Sequence, residues 1–129
     1  MDARHQIEVD VECTYLEEQS APAEHRYVFA YTVTLRNAGQ VPAKLMTRHW
    51  IITDANGRVQ EVRGEGVVGE QPVLKPGQTF EYTSGTPLPT SSGIMLGRYE
   101  MEDEGGQRFE IDVPAFSLDV PSTNKPRLN

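Results

Sequence analysis

Between Val62 and Tyr82 the chain reads VRGEGVVGEQPVLKPGQTFEY, and this stretch separates two fold classes. Its Gly64-x-Gly66-x-x-Gly69 string has the spacing of a dinucleotide fingerprint. That fingerprint works only after a strand and at the start of a helix, whose N-terminal N–H groups and dipole hold a pyrophosphate. Here Pro72 follows three residues after Gly69, and Pro76-Gly77 closes the space where helical turns would form. The acidic residue required about 20 positions further on is missing, because that region reads Ser84-Gly85-Thr86-Pro87-Leu88. The α/β reading fails on its flanks. What remains is a tight loop between two strands, where glycine permits positive φ or close backbone approach.

Outward from that loop the chain alternates. Ile7, Val9, Val11 and Cys13 interleave with Glu8, Asp10, Glu12 and Thr14, the period of a half-buried strand. Tyr27, Phe29, Tyr31, Val33 and Leu35 make a longer aromatic and β-branched run, ended by Asn37-Ala38-Gly39. Ala43 to Thr53 carries Trp50, Ile51 and Ile52 and stops at Asp54-Ala55-Asn56-Gly57, a hairpin signal with a return strand at Arg58 to Arg63. Thr79 to Ser84 reads as the next strand. Gly93 to Met101 and Arg108 to Val113 then form a hairpin around Asp103-Glu104-Gly105-Gly106, with Pro114 as its end and a short strand from Ala115 to Val120. No window holds uninterrupted helical spacing. The fold class is therefore all-β, an antiparallel β-sandwich of seven to eight strands with at most one short helical turn. Residues 1–120 form one domain and 121–129 a flexible C-terminal tail.

At 129 residues the chain has room for one core. Nothing approaches a membrane-spanning apolar run, and Met1 to Gln6 does not read as a secretory signal. The single cysteine excludes an internal disulfide and fits a cytoplasmic protein. Nineteen acids against twelve bases give a net charge of -7. That balance argues against a nucleic-acid partner, which needs a basic face.

The candidate sites are few. Gly64, Gly66 and Gly69 are the ligand-binding candidates, as a nest of N–H groups around an anion, although Glu61, Glu65 and Glu70 surround them and only Arg63 opposes. Trp50 reads as a core anchor, with His49 on the surface opposite the core. Histidines 5, 25 and 49 come from separate segments, and neither a His-x-x-x-His nor a Cys-x-x-Cys pair exists, so no metal or cofactor site is implied. Glu100, Glu102, Asp103 and Glu104 at a hairpin tip offer at most a weak divalent cation contact through oxygen. Cys13 falls in the buried half of its strand, and Ser84, Ser91 and Ser92 lack a nucleophile elbow. The residues support no catalytic site.

Several segments together resemble the ApaG family. They are Tyr31-Thr32-Val33-Thr34-Leu35-Arg36-Asn37, Arg48-His49-Trp50-Ile51-Ile52-Thr53-Asp54, and Gly64-Glu65-Gly66-Val67-Val68-Gly69-Glu70-Gln71-Pro72. They continue with Leu74-Lys75-Pro76-Gly77, Tyr82-Thr83-Ser84-Gly85 and Gly93-Ile94-Met95-Leu96-Gly97-Arg98-Tyr99-Glu100-Met101. The resemblance runs from about Ile7 to Val120. It implies a fibronectin type III-like or immunoglobulin-like sandwich with no assigned enzymatic activity. It also implies a loose link to cobalt resistance and magnesium efflux in bacteria. Similar domains in larger eukaryotic proteins, including some F-box proteins and a polymerase-delta-interacting protein, imply a protein-binding role; this is analogy of fold. The sequence thus leads to a non-enzymatic protein–protein interaction module. The alternative is a small-ligand protein that holds a pyrophosphate or nucleotide at the Gly64–Gly69 loop.

Overall fold

The alternating runs form eight strands in the structure, a computed structural model that describes residues 4–121. They are β1 (Ile7–Tyr15), β2 (Tyr27–Asn37), β3 (Ala43–Asp54), β4 (Val59–Glu65), β5 (Val73–Leu74), β6 (Thr79–Leu88), β7 (Ser92–Asp103) and β8 (Arg108–Asp119). One sheet has the order β1-β2-β6; the other runs β4-β3-β7-β8, with β5 pairing to the start of β3. Every strand pair is antiparallel. Consecutive strands cross between the sheets after β2, β5 and β6, so the faces of both sheets close on one core. No helix among the described residues is long and apolar enough to cross a membrane.

Trp50 is the centre of that core. It is 2% exposed and meets Tyr31, Tyr99 and Phe116 edge-on, at ring-centroid distances of 5.4, 5.9 and 6.1 Å. Edge-to-face contact sets a ring's positive rim against a neighbour's negative face. Gly97 lies directly across from Trp50 on β7, and a side chain there would collide with the indole and with the His49 carbonyl. The phenols of Tyr82 and Tyr99, one from each sheet, hydrogen-bond to each other inside the core, and burial pushes both above their usual titration range.

Beside the added strand β5 and a β6 that runs on from Ser84 to Leu88, four details depart from the sequence reading. Pro114 does not end a strand: β8 runs on to Asp119 through a β-bulge, since Gly97 pairs with Val113 but Met95 with Phe116. A bulge is where a sheet tolerates a residue with no N–H to give. The return strand is longer than expected and takes in Gly64, so only Gly66 and Gly69 lie in the loop proper. There are two short 3-10 turns, Glu17–Gln19 and Pro22–Glu24, where at most one helical turn was expected. Cys13 is half-buried instead of buried, with its Sγ 3.6 Å from the Ser117 carbonyl oxygen. The tail assigned to 121–129 lies outside the described residues beyond Pro121.

A second bulge matters more for function. Leu45 pairs with Met101 and Thr47 with Glu100, which leaves Met46 unmatched on β3. One extra residue reverses the alternation. Ala43 and Leu45 point into the core before it, and Trp50 and Ile52 after it. Arg48 therefore shares the core-facing side, while Thr47, His49 and Ile51 face out.

Candidate functional site

The glycine string is built by backbone needs at three different places. Gly64 lies in β4 opposite Arg48, and any side chain on it would sit within 2.7–2.9 Å of the Arg48 guanidinium atoms. The missing side chain makes the seat for that guanidinium, whose Nη1 donates to the carbonyls of Glu65 (3.1 Å) and Gly66 (2.9 Å). Gly66 has φ 63°, and a side chain there would collide with the Glu70 carbonyl. Gly69 has φ 82° with open space around it. The Met46 bulge completes the clamp: its carbonyl accepts from Gly66 N at 2.9 Å and from Gln71 Nε2 at 3.0 Å.

Within the loop, Val67 and Glu70 exchange both backbone hydrogen bonds, at 2.8 and 2.9 Å. The two residues between them both have positive φ, 43° at Val68 and 82° at Gly69. That pairing defines a tight primed turn, normally built from Gly, Asn or Asp. Val68 is neither small nor polar, and it is 52% exposed. An L-residue in the left-handed region costs about 1–2 kcal/mol, and a β-branched one is a genuine outlier. The turn holds a strained apolar side chain in solvent.

These bonds bear on anion binding. The N–H groups of Gly66, Val67 and Glu70 already donate to backbone carbonyls. Among the described residues, the amides of Val68 and Gly69 donate to no protein group.

The outer face of the β4-β3-β7-β8 sheet carries a second cluster. His49 receives a hydrogen bond from Arg98 Nη1 at its Nδ1 (2.9 Å) and meets Glu61 Oε1 through its Nε2 (2.8 Å). A guanidinium only donates, so Nδ1 is the acceptor and Nε2 carries the proton toward Glu61. Arg63 Nη2 donates to the same Glu61 Oε1 at 3.1 Å, and its Nε, 3.3 Å from the protonated His49 Nε2, makes no hydrogen bond there. The bonds from His49 and then Arg63 hold the Glu61 carboxyl below its usual range. His49 thus faces away from the core as expected, but its side chain is only 16% exposed beneath its charged neighbours. A shallow groove of about 570 Å³ opens beside it. The sequence did not single out Arg63 or Arg98 as partners of His49. The usable signal was strand periodicity, which places Arg98 on the outward side of β7 and Arg63 on that of β4.

At the β7–β8 hairpin three of the four carboxylates, those of Glu100, Glu102 and Asp103, are already engaged. Glu100 and Glu102 take the Arg108 guanidinium at 2.7 and 3.0 Å. Asp103 accepts from the N–H groups of Gly105 and Gln107 and meets His5 Nε2 at 2.8 Å. Among the described residues no three His, Cys, Asp or Glu side chains gather as they would around a metal ion.

A two-sheet antiparallel sandwich with a clamped, strained surface turn defines a scaffold class: a β-sandwich module that displays loops. The comparisons give the particular family. Residues 17–103 match the profile of the ApaG domain. The ApaG protein of Rhodopseudomonas palustris strain TIE-1 is 65% identical over 115 residues, which is 89% of this chain and 88% of the relative. That of Paramagnetospirillum magneticum strain AMB-1 is 63% identical over 123 residues, 95% of this chain and 94% of the relative. The chain belongs to the ApaG family. A crystal structure described as an ApaA protein from Bordetella pertussis superposes with a TM-score of 0.91 at 52% identity, covering 95% of this chain and 99% of that one. A protein of Archaeoglobus fulgidus, 12% identical with a TM-score of 0.54 over 90% of this chain and 98% of its own, shares the fold alone.

Proposed function

We propose that this chain is a non-enzymatic, cytoplasmic protein–protein interaction module whose contact point is the Val67–Glu70 turn and the adjoining outer edge of β4. The observation that carries the reading is Val68, which is held at φ 43° with half its surface in solvent. Backbone strain persists only where surrounding structure enforces it, and here Gly66, Gly69, Gln71 and the Met46 carbonyl all do so. A rigid exposed apolar residue loses little entropy on binding, which makes it an effective anchor. Among the described residues the edge of β4 away from β3 pairs with no other strand, and an extended partner segment can add there by backbone hydrogen bonds. At Cys13, burial and then the nearby Asp119 push the thiol above its usual range, which disfavours the thiolate a catalytic cysteine needs. Any link to cobalt resistance or magnesium efflux would then run through the partner.

The competing reading puts pyrophosphate or a nucleotide on the loop. Only the amides of Val68 and Gly69 are left for it, and Glu61, Glu65 and Glu70 oppose a polyanion. One pair of measurements separates the two. Immobilised wild-type protein should retain a cytosolic protein that Val68→Asp loses, with hydrogen-exchange protection at residues 66–71 in the complex and an unchanged circular dichroism spectrum for the variant. If pyrophosphate or ATP instead produces saturable amide shifts confined to residues 64–71, the ligand reading replaces this one.

A further inference from the structure

Charge on the outer face of the β4-β3-β7-β8 sheet is sorted into two neighbouring rows. Arg63, His49 and Arg98 stand in register across β4, β3 and β7. Two residues along each strand, Glu65, Thr47 and Glu100 stand in register, and β8 adds Glu110 opposite Glu100. Residues two apart on a strand share a face and lie about 7 Å apart. Both rows line the same groove of about 570 Å³, a size that suits a small molecule.

The groove leaves charges of both signs unspent. The only side-chain hydrogen bond of Arg98 among the described residues goes to His49 Nδ1, which uses one of the five N–H donors of a guanidinium. No carboxylate pairs with it, although Asp112 lies directly across on β8. At the other end the side-chain carboxylates of Glu65 and Glu110 have no hydrogen-bond or ion-pair partner among the described residues, whereas that of Glu100 is taken by Arg108. The imidazole of His49, bonded through both nitrogens, fixes the floor between the two arginines.

We infer that this groove binds a small linear zwitterion, with its carboxylate on the open donors of Arg98 over His49 and its ammonium group over Thr47 against Glu65, its direct neighbour on β4. The row spacing sets the length: charges about 7 Å apart, the span of an ω-amino acid with roughly five methylenes. A planar carboxylate matches the guanidinium fork. Polyanions are refused by the acidic row, and simple cations by the arginines. This site faces away from the core and is separate from the strained turn, so it stands whether or not the turn docks a protein.

The test is an NMR titration of the full chain at physiological salt, read on amides and arginine side-chain N–H groups. The probes are 6-aminohexanoate, hexanoate, hexylamine and pyrophosphate. Saturable shifts centred on Thr47, His49 and Arg98 are expected with 6-aminohexanoate, with at least about tenfold weaker binding for hexanoate and hexylamine. Arg98→Gln and Glu65→Gln should each weaken the zwitterion about tenfold. The second variant leaves every hydrogen bond of His49 intact, so its effect cannot come from a collapsed floor. Three results would overturn the inference: no saturable shift up to about 10 mM, hexanoate binding as tightly as the zwitterion, or pyrophosphate binding more tightly than either.

Discussion

Two hairpin turns in this molecule are near copies, and the Val67–Glu70 turn is unlike them. In Asp54-Ala55-Asn56-Gly57-Arg58 the Asp54 Oδ1 accepts from the N–H groups two and four residues on, at 2.8 and 3.0 Å. Asp103-Glu104-Gly105-Gly106-Gln107 does the same at 2.9 and 3.0 Å. Each aspartate also closes the hairpin through its own backbone, at 3.0 Å to Arg58 and 2.9 Å to Gln107. Each turn places a glycine at the positive-φ position, Gly57 at 84° and Gly106 at 85°. Side-chain capping and glycine remove the cost of reversing the chain. The Val67–Glu70 turn gives one of its two positive-φ positions to valine and takes its support from a distant bulge carbonyl and an arginine. Two turns are built for stability. The third holds strain, and strain maintained by its surroundings is where a functional contact is expected.

The sharpest way to break this comparison is to put alanine at three of the positive-φ glycines, Gly66, Gly57 and Gly106. Gly66→Ala adds strain of about 1–2 kcal/mol to a collision with the Glu70 carbonyl, so urea unfolding should show a loss of about 3 kcal/mol once a typical overpacking cost is included. Gly57 and Gly106 have open space where a side chain would go, and Gly57→Ala and Gly106→Ala should each lose only about 1–2 kcal/mol, by nearly equal amounts. Equal losses at all three sites would show that the turns do not differ.

Relieving the strain is the opposite experiment. Asn tolerates the left-handed region, so Val68→Asn should raise stability by about 1 kcal/mol while weakening any partner docked on the turn. A destabilised Val68→Asn would mean that the valine is packed and not strained.

The twin turns themselves differ in one respect, because Asp103 also meets His5, whose ring stacks on Phe109 at 4.1 Å between centroids. The bond from His5, followed by the N–H groups of Gln107 and Gly105, lowers the Asp103 carboxyl below its ordinary 3.8. A group depressed in the folded state contributes stability above its unfolded value and loses it as the pH falls through the lower folded value. Unfolding midpoints measured from pH 5 to pH 2 should therefore fall less steeply for Asp103→Asn than for wild type.

Much of this architecture was legible along the chain. Alternation in Ile7–Thr14, Tyr27–Leu35 and the Arg108 arm exposes one face to water and buries the other, a local pattern that needs no knowledge of neighbours. The Asp-x-x-Gly turns are legible for the same reason: aspartate caps and glycine reverses within five residues. Trp50 was readable as the core anchor because a large ring in a central strand has nowhere else to go. Even the failure of the fingerprint at Gly64–Gly69 followed from nearby prolines.

What the sequence did not decide depends on register between distant strands. The Met46 bulge carries no compositional mark, yet by reversing the alternation it lets Ala43 and Leu45 share the core with Trp50 and Ile52, and it supplies the carbonyl that clamps the loop. The meaning of Gly64 changes with it, from a loop glycine to a strand glycine whose missing side chain seats a guanidinium. Arg63, His49 and Arg98 are separated by many residues in the chain and become one cluster only when β4 and β7 pair with β3. Local propensity fixes which residues form strands and turns. Which residue of one strand lies opposite which residue of another is fixed by the packing of the whole core, and the candidate sites of this protein are made of such pairings.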